Sequence, residues 1–484
     1  MNRSLILALS AALAVGACSD QQDPITGSPT PGAEFASTSG TKGINVALKG
    51  PATAAQIATL STYGTVVKQL PEIYAVLMTG DAANLKDIQA LDFVAAANFD
   101  AERNAPPIDA VPMADFAAGF STWNLDAVNV TNPGARPGSE RTQSLDGTGV
   151  YVAILDTGLL PTWRMYFPQE RIDVDRARSF GGGGGTNGNV SEQPNKWEDD
   201  VNSHGTHVTS TVLGYSLTGT PINGVAPKVT IIPVKVLNQN GSGSSSAVAE
   251  GITYIGRLKA GELAGKPVVI NMSLGGSVLD AVEKAAIDYA IRQGVIIVAS
   301  AGNGGDAGMG YPGAYAPVIS VAATGWARQW TCSANTSAPL INSWWNGCDV
   351  ADPTNPADFY IADFSSRQKA GQDLDVAAPG SWVVGPYQLN QSSKISYFYL
   401  SGTSMASPHV AGIAALMAQK TGSLTAAQAE ATLTGTAIPM GAGSRVVRDP
   451  NAGPVTQTWG SDATGSGLAT ADGALGTSVA KRGK

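Results

Sequence analysis

Charge is scarce in this sequence, and histidine and cysteine are scarcer. Only 14% of the 484 residues are charged, against roughly 25% in an average soluble protein. With 30 Lys+Arg against 38 Asp+Glu the net charge is −8, a sign that repels phosphate backbones and removes the electrostatic term of nucleic-acid binding. No nucleic-acid partner is expected. Past the N-terminus no run reaches the ~18 consecutive apolar residues of a membrane-spanning helix. The chain has three histidines, so any imidazole chemistry must use His204, His207 or His409. What is abundant is glycine, at 57 residues, and apolar side chains, at 43%. A large core can be buried, and disorder or a collagen-like repeat is excluded as the main architecture. Length suggests about two to three domains.

Met1-Asn2-Arg3 supplies a short positive start, residues 4–15 an apolar run, and Gly16-Ala17 small residues before Cys18. Residues 1–17 therefore read as a signal peptide, too short to span a bilayer. Val15-Gly16-Ala17-Cys18 resembles a bacterial lipoprotein box, in which the cysteine is lipidated and becomes the first mature residue. The alternative is an ordinary secretory signal cut after Ala17. Either sends the protein out of the cytoplasm, and the only membrane contact expected is a lipid anchor at Cys18. In an oxidising compartment Cys332 and Cys348 can form a disulfide closing the loop between them, the alternative being two unpaired thiols.

Residues 18–42 mix Pro, Gly, Ser and Thr without apolar periodicity and read as a flexible tether. At Gly43 the pattern changes. Ile44, Val46 and Leu48 alternate as on a strand, and Ala54, Ile57 and Leu60 follow helical spacing. Residues 65–70, 73–78 and 93–99 read as further strands around a second helix at Leu85 and Ile88. Residues 43–102 are thus expected to form a compact βαββαβ unit, α+β and ferredoxin-like. Residues 103–120 include Pro106, Pro107 and Pro112 and read as a linker. From 121 to 480 strand and helix alternate. Apolar, β-branched runs at 149–155, 230–237, 267–273, 295–300 and 318–322 accompany helical patterns at 245–258, 278–293 and 404–420. The expected fold class is α/β, a doubly wound, mostly parallel sheet with helices on both faces. Residues 161–200, with glycines at 181–185, fit no such pattern and are expected to be a surface insertion. Alternation alone says nothing of chemistry.

Three motifs carry chemistry. The first is Val152-Ala153-Ile154-Leu155-Asp156-Thr157-Gly158, a buried strand that delivers an acid at its carboxyl end. Asp-Thr-Gly is also the aspartic-protease signature, but that chemistry needs a second copy to make a carboxylate dyad, and none exists. The second is Asn202-Ser203-His204-Gly205-Thr206-His207-Val208. Two histidines three apart, with Asp199 or Asp200, would suit a metal, yet a zincin needs Glu after the first His and a spacing of four. No metal ligand is assigned. His204 is expected at a helix start facing a cleft, with His207 pointing inward. The third is Ser401-Gly402-Thr403-Ser404-Met405-Ala406-Ser407-Pro408-His409-Val410-Ala411-Gly412. Gly402 permits a sharp turn, and Ser404 follows it at a helix start, where its bland reading is an N-cap. Small residues at 402, 403 and 406 would leave its Oγ accessible.

These motifs, in the order Asp, His, Ser, resemble those of the subtilisin-like serine peptidases. α/β-Hydrolases run in the order Ser, acid, His, and here the one histidine after Ser404 sits five residues along the same helix. The resemblance implies Ser404 as nucleophile, His204 as general base and then acid, and Asp156 as the group that orients and stabilises the imidazolium. The physical logic agrees: a serine is a poor nucleophile until a base takes its proton, and that base must be held in one tautomer. Asn303, in Ala299-Ser300-Ala301-Gly302-Asn303-Gly304, matches the family's oxyanion asparagine, with the Ser404 N–H as second donor. Ser242-Gly243-Ser244 and Ser273-Leu274-Gly275 look like the two segments between which a peptide is held as an extra strand. Gly310, in Gly310-Tyr311-Pro312-Gly313, looks like the base of the specificity pocket. A glycine there leaves room for a large apolar side chain, whereas nearby Asp306 would favour a basic one.

By the same resemblance residues 43–102 are an inhibitory prodomain and residues 121–480 the peptidase domain. Trp123-Asn124-Leu125-Asp126 looks like the start of the mature enzyme and Gly465-Ser466-Gly467-Leu468 like its ending. The expected protein is an exported, monomeric serine endopeptidase acting on protein or peptide substrates, made as an autoprocessed zymogen with its own prodomain as inhibitor. It would begin as a cell-envelope lipoprotein and end in the periplasm or outside the cell. No cofactor is required for such chemistry. Family members often carry structural calcium, but residues 158–168 lack the acidic residue that usually serves the tight site. Two other classes fit the fold: a catalytically silent binding module, and a serine esterase or amidase.

Overall fold

The period-two pattern that begins near Gly43 becomes a small antiparallel sheet. In the computed structural model, which describes residues 40–105, 107–112, 123–131, 141–181, 194–217, 219–329, 355–388 and 396–477, it opens with β1 (Thr41–Leu48) and α1 (Ala54–Ser61). There follow β2 (Gly64–Leu70), β3 (Ala75–Asp81), α2 (Leu85–Gln89) and β4 (Val94–Phe99). The strands pair antiparallel in the order β2-β3-β1-β4. Ile44, Val46, Val76 and Met78 pack with Leu60 of α1 and Ile88 of α2. Helix α1 starts where it does because Thr53 and Gln56 form a reciprocal capping box that satisfies two backbone donors.

The stretch expected as a linker contains two short strands, β5 (Glu102–Asn104) and β6 (Asp109–Pro112), before α3 (Trp123–Ala127). Both pair with strands far along the chain. Their partners define them, which is why no local periodicity announces them.

The larger part runs β7 (Tyr151–Asp156), β8 (Arg178–Ser179), α4 (His204–Leu213), the hairpin β9 (Gly214–Leu217) and β10 (Thr220–Asn223), β11 (Thr230–Lys235) and β12 (Ser242–Ser244). It continues with α5 (Ser245–Ala260), β13 (Val268–Met272), α6 (Ala281–Arg292), β14 (Val295–Ser300), β15 (Ile319–Trp326), β16 (Phe359–Ile361), β17 (Val376–Pro379), β18 (Val383–Pro386) and β19 (Tyr397–Ser401). It closes with α7 (Thr403–Thr421), α8 (Ala426–Thr436), the hairpin β20 (Gly443–Asp449) and β21 (Gly453–Trp459), and α9 (Ala471–Leu475). The central sheet has the order β16-β15-β14-β13-β7-β11-β8, with β17 also on β15. Every pairing in it is parallel except that of β16. Strands β13, β14 and β15 are buried at every residue, as parallel strands covered on both faces must be. Helix α7 lies against these three strands and is buried over residues 403–418. Helices α5 and α6 share a second cluster, which Leu70, Ile73, Ala75 and Leu77 of the N-terminal unit join.

Two expectations change. Helix α6 begins at Ala281 rather than at 278, because Asp280 accepts from Val282 N and Glu283 N at 2.8 and 3.0 Å and so caps it. The described residues of 161–200, which are 161–181 and 194–200, are not a surface insertion, and the rest of the glycine run lies outside the described residues. Trp163, Tyr166, Phe167, Phe180 and Trp197 are buried, and β8 extends the central sheet. Aromatic anchors at irregular intervals bury area without a period, so spacing misses them. Cys18, Cys332 and Cys348 lie outside the described residues.

Candidate active site

The motif residues gather at the carboxyl end of the parallel sheet, where open α/β sheets place their ligands. Asp156 is the last residue of β7 and is fully buried. Helix α4 begins at His204, and its first turn closes on that strand end because residue 205 is glycine. A Cβ there would sit 2.3 Å from Gly158 O and 3.2 Å from Asp156 Cβ. Gly205 N donates to Thr157 Oγ1 at 2.8 Å, Thr157 Oγ1 donates to Asp200 at 3.0 Å, and Asp200 also accepts from the N–H groups of Asn202 and Ser203. One carboxylate thereby ties loop, helix and strand end together. His204 Nδ1 lies 2.7 Å from Asp156 Oδ1. An ionised carboxylate only accepts, so the proton sits on Nδ1 and Nε2 carries the lone pair. Nε2 makes no hydrogen bond among the described residues.

Ser404 is the second residue of α7, which packs on α4. Its Oγ donates to Ser273 O at 3.2 Å, and Ser273 Oγ donates to Ser404 O at 2.8 Å. Asn303 Oδ1 accepts from Thr403 N at 2.9 Å and Thr403 Oγ1 at 2.8 Å. A backbone N–H can only donate, so the amide oxygen must face Thr403 and the amide NH2 the other side, by Gly402.

The two expected substrate segments already flank a strand. β5 pairs antiparallel with β12, placing Ser242 opposite Asn104, Gly243 opposite Arg103 and Ser244 opposite Glu102. On its other side Asn104 N donates to Gly275 O at 2.9 Å and Asn104 O accepts from Gly275 N at 3.0 Å, while Ala105 N donates to Gly241 O at 2.9 Å. Ile108 N then donates to Ser401 O at 2.8 Å, and β6 pairs with β19. The chain is thus anchored on both sides of Ser404. Ser404 itself is only 3% exposed, not the open position that its small neighbours suggest. Gly276 and Tyr311 exchange two backbone hydrogen bonds, which lays Gly310 against Gly275 and Gly276. Asp306 is no pocket floor: its side chain is 97% exposed and 3.9 Å from Arg367 Nε.

The model of the subtilase family matches residues 147–474. The chain belongs to the subtilase family. It is a serine endopeptidase, and subtilases need no cofactor for catalysis. It is 34% identical over 303 residues to subtilisin DY of Bacillus licheniformis, covering 62% of this chain and 87% of that one. It is 34% identical over 275 residues to thermitase of Thermoactinomyces vulgaris, covering 57% and 77%. Its fold resembles that of fervidolysin from Fervidobacterium pennivorans, a keratinolytic enzyme related to subtilisin, with a TM-score of 0.62 at 23% identity. That likeness covers 92% of this chain, which spans 62% of the fervidolysin chain.

The other two histidines of this subtilase are core residues. His207 Nε2 donates to Val383 O at 3.1 Å, and burial pushes its pKa down to about 3. His409 Nδ1 donates to Met405 O while Nε2 accepts from Asn124 Nδ2, and burial pushes it down to about 4. Both are neutral at pH 7. The motifs do not reveal Lys235, buried beside Asp156 and Asp200 and donating to Thr157 O. Burial pushes that lysine down, with the carboxylates opposing, and pushes Asp200 up to about 6. A lysine inside an otherwise apolar strand was its signal. Residues 158–168 carry no carboxylate, and Leu159, Leu160, Trp163, Tyr166 and Phe167 among them are buried in the core. No described helix is long and apolar enough to cross a membrane.

Proposed function

We propose that this subtilase is an exported endopeptidase made as a zymogen that cuts itself. His204 Nε2 takes the proton of Ser404 Oγ as it attacks a peptide carbonyl, and returns it to the leaving amine. Asp156 holds the tautomer and stabilises the imidazolium. Asn303 Nδ2 and Ser404 N–H receive the developing oxyanion. To act, Ser404 Oγ turns from Ser273 O toward Nε2. Substrates lie as a strand between Ser242-Gly243-Ser244 and Ser273-Leu274-Gly275, with Gly310 in the adjoining pocket, and residues 43–102 are the inhibitor that leaves.

The observation that carries this reading is β5 hydrogen-bonded between β12 and Gly275, the main-chain strand addition by which a peptide is gripped without regard to most side chains. The signal at residues 1–17, lipidation of Cys18, the Cys332–Cys348 disulfide and a monomeric state rest on the sequence. Structural calcium rests on the family resemblance, and a chelator that leaves the melting temperature unchanged would remove it. Since Cys18 precedes the inhibitor, self-cleavage would free the catalytic domain from its anchor.

The test compares the wild-type full chain with Ser404→Ala. Wild type should take up a fluorophosphonate probe, digest casein at mappable sites and release a shortened soluble form, whereas the variant stays whole, unlabelled and with the membrane. Labelling without peptide cleavage would point to an esterase, and no labelling to a silent module. Equal membrane retention of both would sink the anchor.

A further inference from the structure

Arg103, in the middle of β5, is fully buried although its neighbour Glu102 is exposed. Its Nε donates to Glu283 Oε1 at 3.0 Å and its Nη2 to Glu283 Oε2 at 2.5 Å. Nη2 also donates to Val278 O and Nη1 to Glu102 O, both at 2.9 Å. Both side chains of the pair are 0% exposed. A fork of two parallel N–H donors onto one carboxylate is arginine's geometry, which a lysine ammonium cannot reproduce. Glu283 is fixed in the first turn of α6, its own N–H bonded to the capping Asp280. Room for the guanidinium comes from Gly276, where a Cβ would stand 2.6 Å from Arg103 Nη1. The pocket is built around this cation.

Glu283 and Gly276 belong to the peptidase domain, so they remain when the N-terminal unit leaves. A buried carboxylate stripped of its partner is costly, and a substrate strand that replaces β5 must face it. We propose that Glu283 makes this pocket a specificity site for an arginine side chain of the substrate. The inference rests on the reading of β5 as a substrate stand-in. Ala105 is held by Gly241 and Ile108 by Ser401, so a substrate strand bound as β5 is would be cut between the positions these two residues occupy. The middle bond of that span joins positions 106 and 107, which makes the selected arginine the fourth residue before the cut.

Enzyme recovered from full-chain expression is given fluorogenic peptides identical except for Arg, Lys, Ala, Leu or Glu at that fourth position. Arginine should exceed alanine in kcat/KM by about 30-fold or more, the range for a buried charge pair that loses one partner. Lysine should fall between them and Glu last. In Glu283→Gln the Arg-to-Ala ratio should drop to within about threefold. That variant takes from Arg103 the carboxylate it is paired with, leaving only Asp280 and Asp100 near it, and threatens folding, so the exchanged pair Arg103→Glu with Glu283→Arg is made beside it and should prefer Glu. A wild-type ratio near one, an undiminished ratio in Glu283→Gln, or an exchanged pair that still prefers Arg each overturns the inference and leaves the peptidase intact. Cleavage of the peptides by Ser404→Ala would instead overturn the reading of the active site, and the inference with it.

Discussion

Two neighbouring helices end at the cleft rim, and they are capped differently. Helix α6 is capped from within by Asp280. Helix α5 has its own Ser244, at a long 3.4 Å from Ala247 N, and a second cap from the N-terminal unit: Asp100 accepts from Ser246 N at 2.9 Å and from Ser246 Oγ at 2.6 Å. Asn45 and Asn98 of the same unit donate to Asp280. At the floor of the site, by contrast, the Asp156–His204, Ser273–Ser404 and Asn303–Thr403 bonds are all made inside the peptidase domain. The floor is complete on its own, and the rim is finished by a segment proposed to leave. A segment whose bonds lie at the rim can depart without breaking those three bonds.

Variants at the two places should therefore behave differently. Ser404→Ala strikes the floor alone: activity should fall by about 10⁶-fold, the loss found for subtilisin itself, while hydrogen exchange at the Asn104 and Ala105 amides stays slow. Fast exchange there would mean that the rim depends on the serine after all. Asn303→Ala should lower kcat by about 10²–10³-fold with KM nearly constant, again a figure taken from subtilisin. A change confined to KM would remove the asparagine from the oxyanion's surroundings. Asp100→Ala, placed in the Ser404→Ala chain to prevent autolysis, strikes the rim. Loss of the borrowed cap should weaken the N-terminal unit's hold by about 1–2 kcal/mol and speed exchange at those two amides ~5–30-fold. Unchanged protection would show that α5 needs no second cap.

A further effect lies in neither place. Asp375, whose carboxylate is within 4.8 Å of those of Asp373 and Glu430, is pushed up to about 7 by burial and then by those two charges. Its folded pKa exceeds the usual ~3.9, so the folded state holds the extra proton and stability falls as pH rises from about 4 to 7. Urea unfolding of the Ser404→Ala chain should show that fall shrinking on Asp375→Asn. Comparing the two chains cancels the opposite slope of His207 and His409, which lose stability as pH drops below about 6.5.

The central sheet was legible because its signals are local: a fully apolar run reads as a covered strand. Local runs also state the strand end of Asp156 and the helix starts of His204 and Ser404, whereas the roles given to these three and to Asn303 came from the family resemblance of the motifs. What spacing hides is whatever a distant partner defines. Strands β5 and β6 exist only against β12 and β19, the aromatics of residues 161–200 find their places in a shared core, and Lys235 matters through Asp200 in another loop. Arg103 and Glu283 stand 180 residues apart, and nothing beside either one names the other.

That pair has a consequence for descent. Once the chain is cut as proposed, Arg103 and Glu283 end in different polypeptides, and only one of them meets substrate. A change at position 283 that suited new prey would first have to pass the earlier stage, in which the chain shuts its own cleft with position 103. The two positions are then heritable only as a couple. On that proposal the specificity is written at both positions of one gene product, and a change at one is tested against the other.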